Sequence, residues 1–166
     1  MERISFTIFL TLLLFSCNSN KQDKFDTFKT LTDMMSNNLP NANYTISIPA
    51  DYTIVESRAG DFSVYYIKRK NSANKSGFNA TMYIGNHPSK FPVVEKCKLN
   101  NKNSIILQNN VLWEIYSCKD DFFTQTFSKN KFNHGWDQMI HAAGRSKSRA
   151  GVDTILYIFS TLKPKK

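Results

Sequence analysis

The sequence is poor in cysteine, glycine and proline, and it holds fewer acidic than basic residues. Its 166 residues include 3 Cys, 6 Gly and 5 Pro. So little Gly and Pro excludes a collagen-like or low-complexity chain, and so little Cys excludes a miniprotein stabilised by many disulfides. A polytopic membrane protein is excluded because no long apolar run follows residue 17. The composition suits a single globular domain.

The amino-terminal residues have the pattern of an export signal. Arg3 precedes an apolar run over residues 4–15, which is too short for a membrane-spanning helix but has the length of a signal-peptide core. The run ends in Leu14-Phe15-Ser16-Cys17. This tetrapeptide resembles the lipobox of bacterial lipoproteins, which implies that Cys17 carries a diacylglyceryl group and becomes the first mature residue. The alternative is an ordinary secretory signal cleaved near Ser16, which leaves Cys17 as a free thiol.

The lipobox resemblance divides the chain into three parts. Residues 1–16 are a lipoprotein signal peptide, residues 17–23 a polar tether, and residues 24–166 a single domain. The tether after Cys17 spans roughly 20 Å when extended, so the lipid is expected to hold the domain close to a membrane. The expected location is the bacterial cell envelope, at the periplasmic face or at the cell surface of the outer membrane.

Cysteine parity supports this interpretation. A lipid on Cys17 leaves Cys97 and Cys118 as an even pair. Because exported proteins meet an oxidising environment, we predict a disulfide between these two residues. The alternative is two buried thiols that are not linked. The sequence leaves both open, because it does not give the separation of the two Cα atoms that a disulfide requires.

Apolar spacing predicts a helix at each end of the domain. The N-terminal helix carries Phe25, Phe28, Leu31, Met35 and Leu39 at intervals of three and four residues and stops at Pro40. The closing helix carries Val152, Ile155, Leu156, Phe159 and Leu162 at similar intervals before Pro164.

Between these helices the sequence predicts antiparallel strands. The predicted strands are 44–49, 52–57, 62–69, 78–85, 104–107, 111–118, 122–127 and 136–142. Asn109-Asn110 is a predicted turn, residues 89–96 are a predicted helical turn, and Trp113 is expected in the core. Several strands are apolar on both faces. We therefore expect an α+β fold in which the two helices cover the two faces of one sheet.

Three segments together resemble a known fold. They are the strand Tyr44-Thr45-Ile46-Ser47-Ile48-Pro49 with Asp51-Tyr52 after it, the run of strands, and the closing Ile158-Phe159-Ser160-Thr161-Leu162-Lys163. Over about residues 42–163 they look like the PsbP-like α/β/α sandwich. Members of that fold include a lumenal photosystem accessory protein, a nuclear-transport cofactor and immunity proteins against secreted bacterial toxins. The resemblance implies protein binding and supplies no common catalytic motif.

The chain shows no grouping that predicts catalysis. His87, His134 and His141 lie far apart and belong to no metal-ligand pattern. Nucleophile motifs and phosphate-binding loops are also missing from the sequence. We therefore expect no enzyme activity, no catalytic residue, no metal and no cofactor.

Charge is the remaining functional signal. The chain has 22 Lys+Arg and 13 Asp+Glu, a formal net charge of +9. Two compact basic clusters stand out, Lys68, Arg69 and Lys70 in one and Arg145, Lys147 and Arg149 in the other. Such clusters attract acidic protein surfaces or anionic lipid headgroups; the alternative is solvated loops on a lysine-rich chain. Nucleic acid is not an expected partner, because the chain has no recognition motif.

These observations favour a membrane-tethered, noncatalytic lipoprotein that binds a protein partner with an acidic surface. An immunity factor against a secreted toxin is one form of that function. The alternative is a carrier or sensor of a small apolar or lipid ligand, held in a pocket built from some of the 13 Phe and 7 Tyr.

Overall fold

The computed structural model describes residues 34–70, 77–93, 96–132 and 138–165. Its described elements are strands and one helix. The strands are β1 (Met34–Asn38), β2 (Tyr44–Pro49), β3 (Tyr52–Ala59), β4 (Phe62–Arg69), β5 (Phe78–Gly85), β6 (Lys98–Ile106), β7 (Asn109–Ser117), β8 (Phe122–Lys129), β9 (Met139–Ser146) and β10 (Lys163–Pro164). The helix, α1, spans Arg149–Ser160. The predicted signal peptide, Cys17 and the tether lie outside the described residues.

The strands form two antiparallel sheets. The large sheet has seven strands in the order β3-β4-β5-β9-β8-β7-β6, and the small sheet has the order β1-β2-β10. Side chains alternate between the two faces of each strand. On the large sheet, Met82, Trp113 and Ile140 belong to the main hydrophobic core together with Ile46 of β2 and Phe159 of α1. The small sheet and the helix thus cover the same face of the large sheet, called the core face here.

The closing helix is confirmed, and its start is set by a cap. Ser148 has extended backbone angles, and its side chain accepts a hydrogen bond from the Gly151 N–H at 3.1 Å. Such a bond satisfies one of the otherwise unpaired N–H groups of a first helical turn. Val152, Ile155 and Phe159 are buried against the core face, as their spacing predicts.

The expected sheet with a helix on each face is wrong. The structure is mostly β, with one helix in the described residues. Of the predicted N-terminal helix, residues 25–33 lie outside the described residues, and Met34–Asn38 forms a strand that pairs with β2. Met35 is 57 % exposed while Leu39 is 1 % exposed, so the two side chains do not share one buried stripe. Pairing with a neighbouring strand has overridden the local helical spacing.

The other face of the large sheet, the outer face, is covered at its centre by an irregular segment. Residues 86–93, called the strap here, follow β5 and have no helical turn, so the predicted helical turn is wrong over 89–93. The ring of Phe91 in the strap lies 6.3 Å from the ring of Phe123 and 4.8 Å from that of His141. The strap therefore has the covering role that we assigned to a helix.

The β6–β7 hairpin also differs from the prediction. Its turn is Leu107-Gln108, with φ of 46° and 62°, and Asn109-Asn110 begins β7. Two positive φ values are what a two-residue type I′ turn requires. Leu107 is 2 % exposed. Burial of its side chain therefore stabilises a left-handed backbone conformation that Asn-Gly pairs usually adopt in such turns. The hairpin is longer than predicted, because β6 already begins at Lys98.

Candidate functional site at the basic end of the large sheet

The two basic clusters predicted from the sequence lie at the same end of the large sheet. Tyr52, which begins β3, pairs with Arg69 at the end of β4, and Phe78, which begins β5, pairs with Ser146 at the end of β9. Antiparallel pairing thus brings the two clusters to one end. We call the exposed basic residues there the basic end; they are Lys68, Arg69, Lys70, Lys96, Lys98, Lys119, Arg145, Lys147 and Arg149.

Three of these residues were missed by the sequence analysis. Lys96, Lys98 and Lys119 are single lysines, each remote in sequence from the two compact clusters. They reach this end because Lys98 pairs with Ser117 in the β6–β7 ladder. A prediction that β6 begins at Lys98 would have indicated that these lysines lie near the two clusters. Against nine basic residues, the described part of this end holds three acidic ones, Asp51, Asp120 and Asp121.

The end of β9 at Ser146 separates the members of the second cluster, because Arg145 lies within the strand, Lys147 follows it and Arg149 begins α1. Arg145 lies on the outer face, where its Nη1 is 3.5 Å from Asp121 Oδ2 and its guanidinium carbon is 5.4 Å from the centre of the Phe123 ring. Lys147 lies beyond the end of β9 and lines a cleft of about 380 Å³ together with Arg69 and the start of α1. The structure therefore brings Lys147 close to the first cluster and turns Arg145 away from it.

The first cluster is fixed by the turn between β2 and β3. Arg69 Nε lies 2.7 Å from Asp51 Oδ2, and this contact raises the pKa of the guanidinium above its ordinary value. Lys70 Nζ donates to the Ala50 carbonyl at 2.8 Å, and the Lys70 N–H donates to the Asp51 carbonyl at 2.9 Å. The cluster is thus attached to a tight connection between strands.

The predicted disulfide is confirmed, and it lines a second cleft. Cys97 and Cys118 are bonded, with their Cα atoms 4.3 Å apart. The cleft has a volume of about 430 Å³ and is also lined by Lys96, Arg145 and Asp121. The disulfide joins the residue before β6 to the residue after β7, and Lys96 is adjacent to Cys97 in the sequence.

At the centre of the outer face, a polar cluster fastens the strap. Gln125 is fully buried; its Oε1 accepts from the Phe91 N–H at 3.1 Å and its Nε2 donates to the Phe91 carbonyl at 3.3 Å. Glu114 accepts from Lys90 Nζ at 2.7 Å and from the Tyr116 hydroxyl at 2.8 Å. Burial alone would raise the pKa of Glu114, but these hydrogen bonds hold it below its usual value.

His141 lies beneath this cluster as a neutral, buried base. Its ring stacks on Phe127 at a centroid distance of 4.2 Å, and its Nε2 is 3.3 Å from Gln125 Oε1. Removal from water disfavours the charged ring and lowers the pKa of His141 to about 4. His141 is therefore a packed, buried group beneath the strap.

The basic end is defined by its cationic side chains. Within the four described ranges, no three His, Cys, Asp or Glu side chains are grouped so as to hold a metal ion. In the same part of the chain, no helix is long and apolar enough to cross a membrane. What the basic end can do chemically is attract and hold carboxylates or other anions.

Comparisons with protein-family models, with curated proteins and with solved structures find no match. The resemblance to PsbP-like lipoproteins therefore stays a prediction.

Proposed function

We propose that the protein binds an acidic protein partner through the basic end and has no catalytic role in doing so. The single observation behind this proposal is the convergence of nine exposed basic residues, with three acidic ones, at one end of the described sheet. A surface of one sign accelerates association with an oppositely charged partner and selects against partners of like charge. An immunity role against a secreted toxin is one form of such binding.

The proposal places the domain at the bacterial cell envelope. The lipobox-like sequence ending at Cys17 supports attachment through lipid, and the disulfide between Cys97 and Cys118 supports an oxidising compartment. Intact-mass measurement of protein from its native host tests the attachment. A diacylglyceryl adduct on Cys17 supports it, and an unmodified thiol contradicts it.

Charge reversal tests the binding surface. The partner is first cross-linked and co-purified from the native host, and its affinity is then measured for Lys147→Glu with Arg149→Glu. Lys129→Glu with Lys131→Glu is the matched control, because these exposed lysines flank the opposite end of the sheet. We expect the basic-end variant to bind roughly tenfold more weakly or worse, with a reduced dependence on salt. Equal affinity of both variants would contradict the proposal.

Native mass spectrometry of the purified protein provides a second test. A bound polypeptide in a fixed ratio supports protein recognition. A retained small apolar molecule without a polypeptide supports a carrier instead.

A further inference from the structure

β6 is the longest edge strand in the described structure. It has nine residues, pairs with β7 on one side only, and has no described partner on the other. It contains no proline, and no residue within it has a positive φ. Proline, bulges, short length and charged side chains, lysine above all, are common ways of protecting an edge from another strand. Of these features, β6 has only its two lysines, Lys98 and Lys102. β6 therefore has a regular backbone to which a further strand can bind.

The hairpin geometry decides which backbone groups of β6 point outward. A two-residue turn closes on a hydrogen-bonded pair, here Ile106 with Asn109. Pairs alternate along an antiparallel ladder, so Cys97 and Cys118 fall on a non-hydrogen-bonded pair, and their short Cα separation of 4.3 Å agrees with that. The residues whose N–H and C=O groups point away from β7 are then Leu99, Asn101, Asn103 and Ile105.

Exposed apolar side chains flank the same edge. Leu99 is 49 % exposed, Ile105 is 51 % exposed, and Leu112 of β7 is 54 % exposed. All three lie on the outer face, where they would contact alternate side chains of an added strand. On the opposite face, Lys102 Nζ lies 2.8 Å from Asp153 Oδ1 of α1, and the exposed Tyr157 is one helical turn further along.

Charge favours an acidic occupant over a second copy of this chain. β6 carries Lys98 and Lys102 and no acidic residue, and its first residue belongs to the basic end. Two copies paired through β6 would bring four lysines together in proteins of net charge +9. Alternating acidic and apolar side chains would instead match Lys98, which has no ion pair in the described structure, and the exposed apolar residues.

We propose that β6 binds an extended, acidic segment of the protein partner as an eighth strand of the large sheet. This inference rests on the proposed function, because it specifies how the acidic partner docks. Main-chain hydrogen bonds to the four outward residues supply affinity. The exposed side chains beside them determine which sequences of the added segment bind best.

A synthetic peptide of alternating Val and Glu residues is the probe, and amide hydrogen exchange followed by NMR is the measurement. In the free protein, the outward N–H groups of Asn101 and Asn103 should exchange faster than those of Asn100 and Lys102, which pair with β7. Binding should slow the outward groups at least tenfold and leave the inward groups nearly unchanged. Peptide binding without this alternating protection would overturn the proposal, as would no binding at millimolar peptide.

Asn103→Pro is the decisive variant, because it removes an outward N–H without breaking the ladder with β7. Asn103→Ala, which keeps that N–H, is the matched control. We expect the proline variant to lose at least tenfold in peptide affinity and the alanine variant to match the wild type. A proline variant that keeps the wild-type fold by NMR and the wild-type affinity for the peptide would contradict strand addition. A peptide of alternating Val and Lys residues that bound as tightly as the Val and Glu peptide would contradict an acidic occupant.

Sedimentation tests the competing occupant. A dimer that Asn103→Pro dissociates would show that a second copy occupies β6 and would overturn the proposal. The charge-reversal experiment at Lys147 and Arg149 is independent of these measurements. If the natural partner loses affinity there but not for Asn103→Pro, the proposed function stands and strand addition fails.

Discussion

Gln125 and the backbone of Phe91 exchange two hydrogen bonds, at 3.1 and 3.3 Å, as if the side-chain amide were one residue of a neighbouring strand. Gln125 reaches the strap from the middle of the large sheet, where β8 pairs with both β7 and β9. A segment without regular secondary structure is thus attached to an interior strand of the large sheet.

Replacement of Gln125 by Met should therefore loosen the strap. Methionine has a similar volume but cannot bond to Phe91, so we expect the free energy of unfolding to fall by about 1–3 kcal/mol. Urea unfolding measures the change. Gln138→Met is the control, because the side chain of Gln138 is exposed, and its effect should stay within about 0.5 kcal/mol. Equal effects of the two variants would show that the strap does not depend on the Gln125 amide.

Burial of neutral His141 should make stability depend on pH. Its folded-state pKa of about 4 lies below the ordinary value of 6.5, so the unfolded chain takes up a proton first as the pH falls. The contribution of neutral His141 to the free energy of unfolding is present in full above about pH 6.5. It declines as the pH falls from there to about 4, with a loss of about 1.4 kcal/mol by about pH 5.5.

His141→Phe tests this assignment, because an uncharged ring at the same place does not titrate. Urea unfolding at about pH 7.5 and 5.5 should show a smaller difference for this variant than for the wild type. His87→Asn, at an exposed histidine, is the control variant. A wild-type pH dependence in His141→Phe would assign the effect to other groups.

Removing the disulfide should destabilise the protein by about 3 kcal/mol, because Cys97 and Cys118 are 21 residues apart and their link restricts the unfolded chain. Cys97→Ser with Cys118→Ser can be compared with the wild type in urea unfolding. The wild type treated with a dithiol reductant should match the double variant. A difference below about 0.5 kcal/mol would contradict a stabilising role for the bond.

Trp113 and Leu112 are adjacent on β7 but face opposite sides of the sheet, with exposed fractions of 0 % and 54 %. We expect Trp113→Ala to cost about 3–5 kcal/mol, because it leaves a cavity beside Phe159. Leu112→Ala should cost less than about 1 kcal/mol. Thermal or urea unfolding of the two variants gives a direct comparison, and similar losses would contradict the difference in burial between the two faces of β7.

Much of the local structure could be predicted from the sequence. The alternation in Tyr44–Pro49 gives β2, and the spacing of Val152, Ile155 and Phe159 gives α1. In the candidate site, the two compact clusters were visible as charge runs. Lys96, Lys98 and Lys119 were not, because single lysines in separate segments carry no common signal until the strands that bear them are paired.

The sequence by itself determined the periodicity of most elements and the sign of the net charge, because these depend on residues close together in the chain or on composition alone. Only the tertiary structure decided that Met34–Asn38 is a strand, that the strap covers the outer face, and that the basic residues gather at one end. Those outcomes depend on the hydrogen-bonded register between segments that are distant in the sequence. Register is set by which face of each strand is buried, because a shift of one residue moves every side chain to the other face.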